Sequence, residues 1–243
     1  MSPNHTAIEV QAVTKRFRLR HTHSLKEGLV WAMQGRARRH DFTALEGVDL
    51  TVGQGESLAL LGRNGSGKST LLKLMAGVMA PDAGRVRLRG RVAGLLEVGA
   101  GLHPDLTGRE NVFLNASILG MDEAQIRARF DDIVDFADIG QFLDTQVRFY
   151  SSGMFLRLAF AVAVHTDPDV FLVDEILAVG DEPFRRRCLE RIERLSAEGR
   201  TLVVVSHDLP LVERLCDRGV VLQQGRVVHD GAVADATGHL KAA

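Results

Sequence analysis

Gly62-Arg63-Asn64-Gly65-Ser66-Gly67-Lys68-Ser69 is a phosphate cradle by residue type and spacing. Glycines let backbone N–H groups close around phosphate oxygens, and the N-terminus of a following helix adds partial positive charge. Lys68 is placed to reach the β/γ-phosphates and the Ser69 hydroxyl to ligate Mg²⁺, with Thr70 leading into the helix. A second group of reactive residues follows two apolar runs: Val170–Val173 leads into Asp174-Glu175, and Thr201–Val205 into Ser206-His207-Asp208. Asp174 suits a carboxylate that holds Mg²⁺ directly or through water, and Glu175 is placed to polarise an attacking water. His207 can hydrogen-bond a γ-phosphate and sense its loss. Taken singly, Asp174 and Asp208 serve equally well as helix N-caps and His207 as a loop residue. A third group, Tyr150-Ser151-Ser152-Gly153-Met154, opens the helical stretch Phe155–Val164. There Ser151 and the free N–H groups could hold a phosphate, or Ser151 could simply cap the helix.

The cradle requires a strand before it and a helix after it. Ser57–Leu61 reads as the strand, and Thr70–Met79 as the helix, with Leu71, Leu72, Met75 and Val78 at helical spacing. Val170–Val173 and Thr201–Val205 are near-continuous apolar runs, as strands buried on both faces should be. Helical stretches at Glu182–Ala197 and Leu209–Cys216 alternate with them, which predicts an α/β fold around a parallel sheet. In such a sheet the carboxyl ends share one edge, so Lys68, Asp174, Glu175 and His207 are expected around one nucleotide.

Upstream, Ala7–Val13 and Val48–Val52 read as strands of an N-terminal antiparallel β-subdomain, separated by a basic insertion at about 18–41. The insertion and its flank carry Lys15, Arg16, Arg18, Arg20, Lys26, Arg36, Arg38 and Arg39. Leu25, Leu29, Ala32 and Met33 would share a helix face, with Trp31 to one side. That pattern fits a solvated surface helix, or a helix near anionic lipid headgroups or a membrane partner. Pro81-Asp82-Ala83-Gly84 is a turn, and Arg85, Arg87, Arg89 and Arg91 alternate along one solvated strand face. From about 98 to 166 the chain reads as an inserted helical subdomain. Thr107 and Glu110 form a capping box there, and Ile126, Phe130, Ile133, Val134 and Ala137 form an apolar stripe.

The 243 residues suffice for a substantial core, with 45% hydrophobic and 25% charged content. A net charge of −1 argues against nucleic-acid binding driven by global charge. No apolar stretch approaches the roughly 18 residues needed to cross a bilayer. Met1–Val10 lacks the basic and apolar regions of a signal peptide. Cys188 and Cys216 have no metal-ligand spacing and read as packing residues in a reducing compartment. The expected location is therefore cytosolic.

In their order, GRNGSGKST, YSSGM, VFLVDE and SHD resemble the ATPase subunit of an ABC transporter, with YSSGM at the signature position usually written LSGGQ. The likeness runs from about Ile8 to Leu240. LLEVGAGLHPDLTGRENV, YSSGM and DEILAVGD resemble the branch that exports lipid-linked polysaccharides such as O-antigens and teichoic acids. This resemblance implies a P-loop NTPase (RecA-like) core and a single ATPase domain over 1–243. It implies ATP and Mg²⁺, with Lys68, Glu175 and His207 catalytic and Ser69 and Asp174 on the metal. Gly62 to Thr70 would bind nucleotide, and Ser151, Ser152 and Gly153 would close over the ATP of a second copy, with Asp181 at the dimer seam. Further implications are an integral membrane permease subunit, no nucleic acid, and a peripheral position on the cytoplasmic face of the inner membrane. Three departures stand out. No Gln occurs between Arg91 and Asp105, where Glu97 stands near the expected place. Phe17 replaces the adenine-stacking Tyr, with Phe42 as the alternative. Ser152 and Met154 replace Gly and Gln. The chain ends soon after this core, which predicts no added carbohydrate-binding domain. The alternatives are an ABC-type ATPase for another exported substrate, a soluble nucleic-acid-associated ATPase and a small-molecule phosphotransferase.

Overall fold

The computed structural model describes residues 6–19, 40–94, 101–174 and 181–242. Glu97, Glu175 and residues 20–39 of the basic insertion lie outside the described residues.

Two sheets and a helical block make up the fold. The first sheet is antiparallel, in the order β2-β1-β4, with β1 at Thr6–Leu19, β2 at His40–Gly53 and β4 at Ala83–Leu88. Both N-terminal strands run further than their apolar runs suggested, because cross-strand pairing continues to Leu19↔His40. The second sheet has the order β5-β6-β7-β3-β8-β9. It comprises β3 (Ser57–Leu61), β5 (Val92–Gly94), β6 (Val170–Val173), β7 (Thr201–Val204), β8 (Arg218–Gln223) and β9 (Arg226–Ala232). Every pairing from β5 to β8 is parallel, and β9 closes the edge antiparallel to β8. All residues of β3, β6 and β7 are buried, as their unbroken apolar character requires.

Helix α1 spans Lys68–Met75. It is shorter than the sequence pattern predicted. Gly77 has φ 72 and its N–H bonds to the Leu74 carbonyl, so the chain turns away and leaves Val78 56% exposed. The arginine row also needs correction. Strand β4 stops at Leu88 and Gly90 turns the chain, so only Arg85 and Arg87 share the strand face, beside Gln11 and Glu9.

The helical block contains α2 (Gly108–Ile118), α3 (Glu123–Ala137) and α4 (Ser152–His165). Thr107 and Glu110 form the expected capping box, and Asp122 with Gln125 forms another. Ile126, Ile133, Val134 and Ala137 are buried, with Phe130 packed against the same core. Helices α5 (Glu182–Ala197), α6 (Leu209–Leu215) and α7 (Val233–Ala242) complete the chain. Helix α4 contributes to two cores. Leu158, Ala159, Ala161 and Val162 pack with the helical block, whereas Phe160, Ala163 and Val164 pack against β6, β7 and α5. Cys188 and Cys216 are buried free thiols whose pKa values burial pushes up to about 12, consistent with packing roles. Among the described residues, no helix is long and apolar enough to cross a membrane.

Candidate nucleotide site

Strand β3 lies between β7 and β8; the chain leaving β3 next enters this sheet at β5 on one side, whereas the chain leaving neighbouring β7 enters at β8 on the other. Ligands bind at such a switch point in parallel sheets. The loop from Gly62 to Gly67 occupies it. A Cβ at Gly62 would lie 2.3 Å from the Leu222 carbonyl oxygen, so only glycine lets the loop leave the strand this close to β8. The loop is held from behind by the turn between β8 and β9, where Gly225 N–H donates to the Ser66 carbonyl at 2.9 Å. Arg63, Asn64 and Gly65 face outward and are exposed.

Helix α1 begins at Gly67 without a side-chain cap, whereas Thr107, Asp122, Ser151, Asp181 and Asp208 cap α2 to α6. Its first N–H groups are thus left to a ligand rather than to a side chain. Ser66 Oγ is buried without a hydrogen-bond partner, and the space around a Cβ at Gly65 is open to 4 Å. An anion with several acceptor oxygens fits this cradle.

Lys68 is 8% exposed, and its Nζ donates to the carbonyls of Gly62 at 2.7 Å and Arg63 at 3.2 Å. Burial lowers its pKa, and the nearby Asp174 carboxylate works in the opposite direction. Asp174 follows the last residue of β6 and is half-buried. Burial raises its pKa, while Lys68 and Lys73 pull it back down. Lys68 and Asp174 therefore feel each other's charge at the carboxyl edge, each partly withdrawn from solvent. Ser69 is exposed on the first turn of α1 and Thr70 is half-buried beside it. Among the described residues, no cluster of three His, Cys, Asp or Glu could hold a metal by itself. A metal here would rest on Ser69, Asp174 and the oxygens of a phosphate ligand.

His207 is exposed on the loop after β7, the strand between β3 and β6. Its neighbour Asp208 caps α6 by accepting from Leu211 N–H at 3.1 Å, which fulfils the capping role. Phe17 and Phe42 are directly paired across β1 and β2, so the two candidate stacking rings stand side by side. Lys15 Nζ lies 5.8 Å from the Phe17 ring centre. Ser151 caps α4 by accepting from Met154 N–H at 3.2 Å; Ser151 and Ser152 are exposed and Gly153 half-buried. Among the described residues, no hydrogen bond or ion pair joins residues 151–153 to the cradle, so the structure does not bring these two groups together within one chain.

Sequence reasoning missed some supporting groups. Asn111 is fully buried and clamps the loop before α2. Its Oδ1 accepts from His103 N–H, and its Nδ2 donates to the carbonyls of His103, Leu106 and Thr107. The available signal was an amide side chain one turn inside a capped helix. Gly225 gave only a generic turn signal, Gln-Gly, and its contact with Ser66 depends on sheet order.

The chain matches the family described as ABC transporter over residues 45–178. The chain belongs to the ABC transporter family. An O-antigen export system ATP-binding protein of Myxococcus xanthus is 45% identical over 98% of this chain and 56% of its own length. A teichoic acids export ATP-binding protein of Levilactobacillus brevis is 41% identical over 98% of this chain and 65% of its own. This ABC family chain thus spans less than two thirds of either relative. A solved ATP-binding subunit of an ABC transporter superposes with a TM-score of 0.76 at 26% identity, covering 98% of this chain and 95% of that one. The fold is that of an ABC ATPase cassette, with the α/β core, antiparallel N-terminal sheet and helical block expected.

Proposed function

We propose that this ABC family member is the ATP-hydrolysing subunit of an exporter, acting on a lipid-linked polysaccharide of the O-antigen or teichoic acid type. The observation that carries the ATPase reading is the uncapped start of α1 at the switch point of the sheet, beside a buried, unpartnered Ser66 Oγ and a Lys68 amine folded back onto the loop carbonyls. The polysaccharide assignment draws on the names and identities of the relatives.

In this reading residues 62–70 wrap the phosphates with backbone N–H groups. Lys68 exchanges its bonds to the Gly62 and Arg63 carbonyls for β/γ-phosphate oxygens. Ser69 and Asp174 hold Mg²⁺, which when bound would neutralise charge developing on the phosphate oxygens. Glu175 orients and deprotonates the attacking water, and His207 bonds the γ-phosphate from the neighbouring strand end. Phe17 stacks on the adenine. Ser151, Ser152 and Gly153 reach the nucleotide of a second copy. An integral membrane permease subunit is its partner in this reading. The whole chain acts as one ATPase domain on the cytoplasmic face of the membrane, without nucleic acid.

The test is phosphate release by the purified protein. Free phosphate and ADP are expected, and Lys68→Ala should reduce the rate by about 100-fold or more, the scale of losing a main electrostatic group. A phosphorylated metabolite in place of free phosphate would overturn the ATPase assignment. In cells, Lys68→Ala should remove a surface glycan; an unchanged surface would refute the cargo.

A further inference from the structure

Arg157 lies on α4 four residues after Gly153, one helical turn further along the same face. Its side chain is only 19% exposed and reaches two carboxylates on different elements. One guanidinium nitrogen is 2.8 Å from Asp181 Oδ1, the N-cap of α5, and another is 3.3 Å from Asp138 Oδ2, the C-cap of α3. The guanidinium carbon sits 5.3 Å from the centre of the Phe184 ring. The same Asp181 oxygen accepts from Phe184 N–H at 3.3 Å, so the first turn of α5 and Arg157 share one acceptor.

Apolar packing already joins the later part of α4 to α5, where Phe160 meets Phe184 edge to face at 5.9 Å. The turn carrying Ser151–Gly153 lies beyond that contact. Arg157 is the charged link that extends the junction to this turn. We propose that Arg157 is a positioning residue that holds the Ser151 end of α4 against the first turn of α5. The inference rests on the ATPase reading and adds a residue to it. Asp138 also has Arg187 at 3.8 Å, whereas Asp181 has no other cation partner among the described residues. The Asp181 contact is therefore the one whose loss releases the Ser151 end of α4 from α5. Both carboxylates are more than half exposed, so the pair adds little to stability and its loss should be read in turnover.

The experiment measures ATP affinity, kcat, melting temperature and amide exchange at Phe184 and Arg185 in Arg157→Met, Asp181→Asn, the double variant and Asp138→Asn. Asn retains the helix cap, so Asp181→Asn removes the ion pair within the chain; because Asp181 is also expected at the dimer seam, the part of its effect shared with Arg157→Met is the one that reports on the link. Either single change should lower kcat about tenfold, the scale of a small misplacement, with ATP affinity within about twofold. The double variant should be no worse than either single variant, because one interaction is lost in all three. Asp138→Asn should keep more than half of the turnover. Arg157→Lys should recover part of kcat as a point charge. Additive losses, or equal losses from Asp138→Asn, would overturn the link; so would a fall in kcat that only tracks melting temperature. A wild-type protein that binds ATP without releasing phosphate would overturn the ATPase reading instead. In that case nucleotide-free exchange at Phe184 still decides: faster exchange in both single variants supports the link, and unchanged exchange refutes it.

Discussion

Lys68 and Asp174 illustrate how the proposed nucleotide site is built against local stability. Both are drawn partly out of water at the carboxyl edge of the sheet, and each acquires a pKa shift toward its neutral form. For Asp174 the sign is direct. A carboxyl whose pKa is raised on folding binds its proton more tightly in the native state, so ionising it costs stability above that raised pKa. The cost disappears as pH falls below the unfolded value near 3.8. Asp174→Asn should therefore raise the melting temperature of the nucleotide-free protein at neutral pH and leave it unchanged in acid. The same variant should lose phosphate release. Thermal unfolding between pH 3 and 8, beside an ATPase assay, checks both halves, and a lower melting temperature at pH 7 would refute the assignment of strain to Asp174.

At the scale of elements, β3, β6 and β7 were legible because strands buried on both faces have to be apolar throughout. Their order was not legible, yet their parallel direction alone sufficed to bring Lys68 and Asp174 to one edge. Helix α1 was read too long because Val78 continues the helical spacing, while Gly77 ends the helix through its backbone. Strands β8 and β9 escaped notice: β8 carries a short apolar centre between Arg218 and Gln223, and β9 alternates exposed and half-buried residues. Their hairpin nevertheless supports the phosphate loop from 159 residues away, through Gly225 N–H and the Ser66 carbonyl. Gly225 has φ 77, and a Cβ there would lie 2.7 Å from the Ala44 carbonyl oxygen. Gly225→Ala should cost about 2 kcal/mol or more through backbone strain and this collision. Because the hairpin must shift to relieve it, ATP affinity should fall as well. Denaturant unfolding and nucleotide titration read the two effects separately, and a stable variant with weakened ATP binding would still place the hairpin in the site's support.

For the molecule as a whole, the phosphate cradle and the exposed Ser151 end of α4 belong to different parts of the packing. The loop is backed by the core containing Leu58, Leu60, Leu71 and Leu72, whereas the signature helix is rooted largely in the helical block. On the proposed reading each of them is half of a nucleotide site, and a single chain carries both halves. Two copies arranged head to tail would complete both, each supplying Ser151, Ser152 and Gly153 to the other's triphosphate. With Glu175 as the proposed water-activating base, replacing it by Gln should keep nucleotide binding and stop hydrolysis, so that the closed pair accumulates. Light scattering after size exclusion should then show a doubled mass with ATP and Mg²⁺, and the single-chain mass with ADP. Adding Ser151→Arg to that variant should restore the single-chain mass while each chain still binds ATP, because the bulky cation stands where the partner's phosphates must enter. If the Glu175→Gln protein stays at single-chain mass with ATP bound, the signature residues do not complete a second copy's site. Their role would then be limited to capping α4, as Ser151 does for the Met154 N–H.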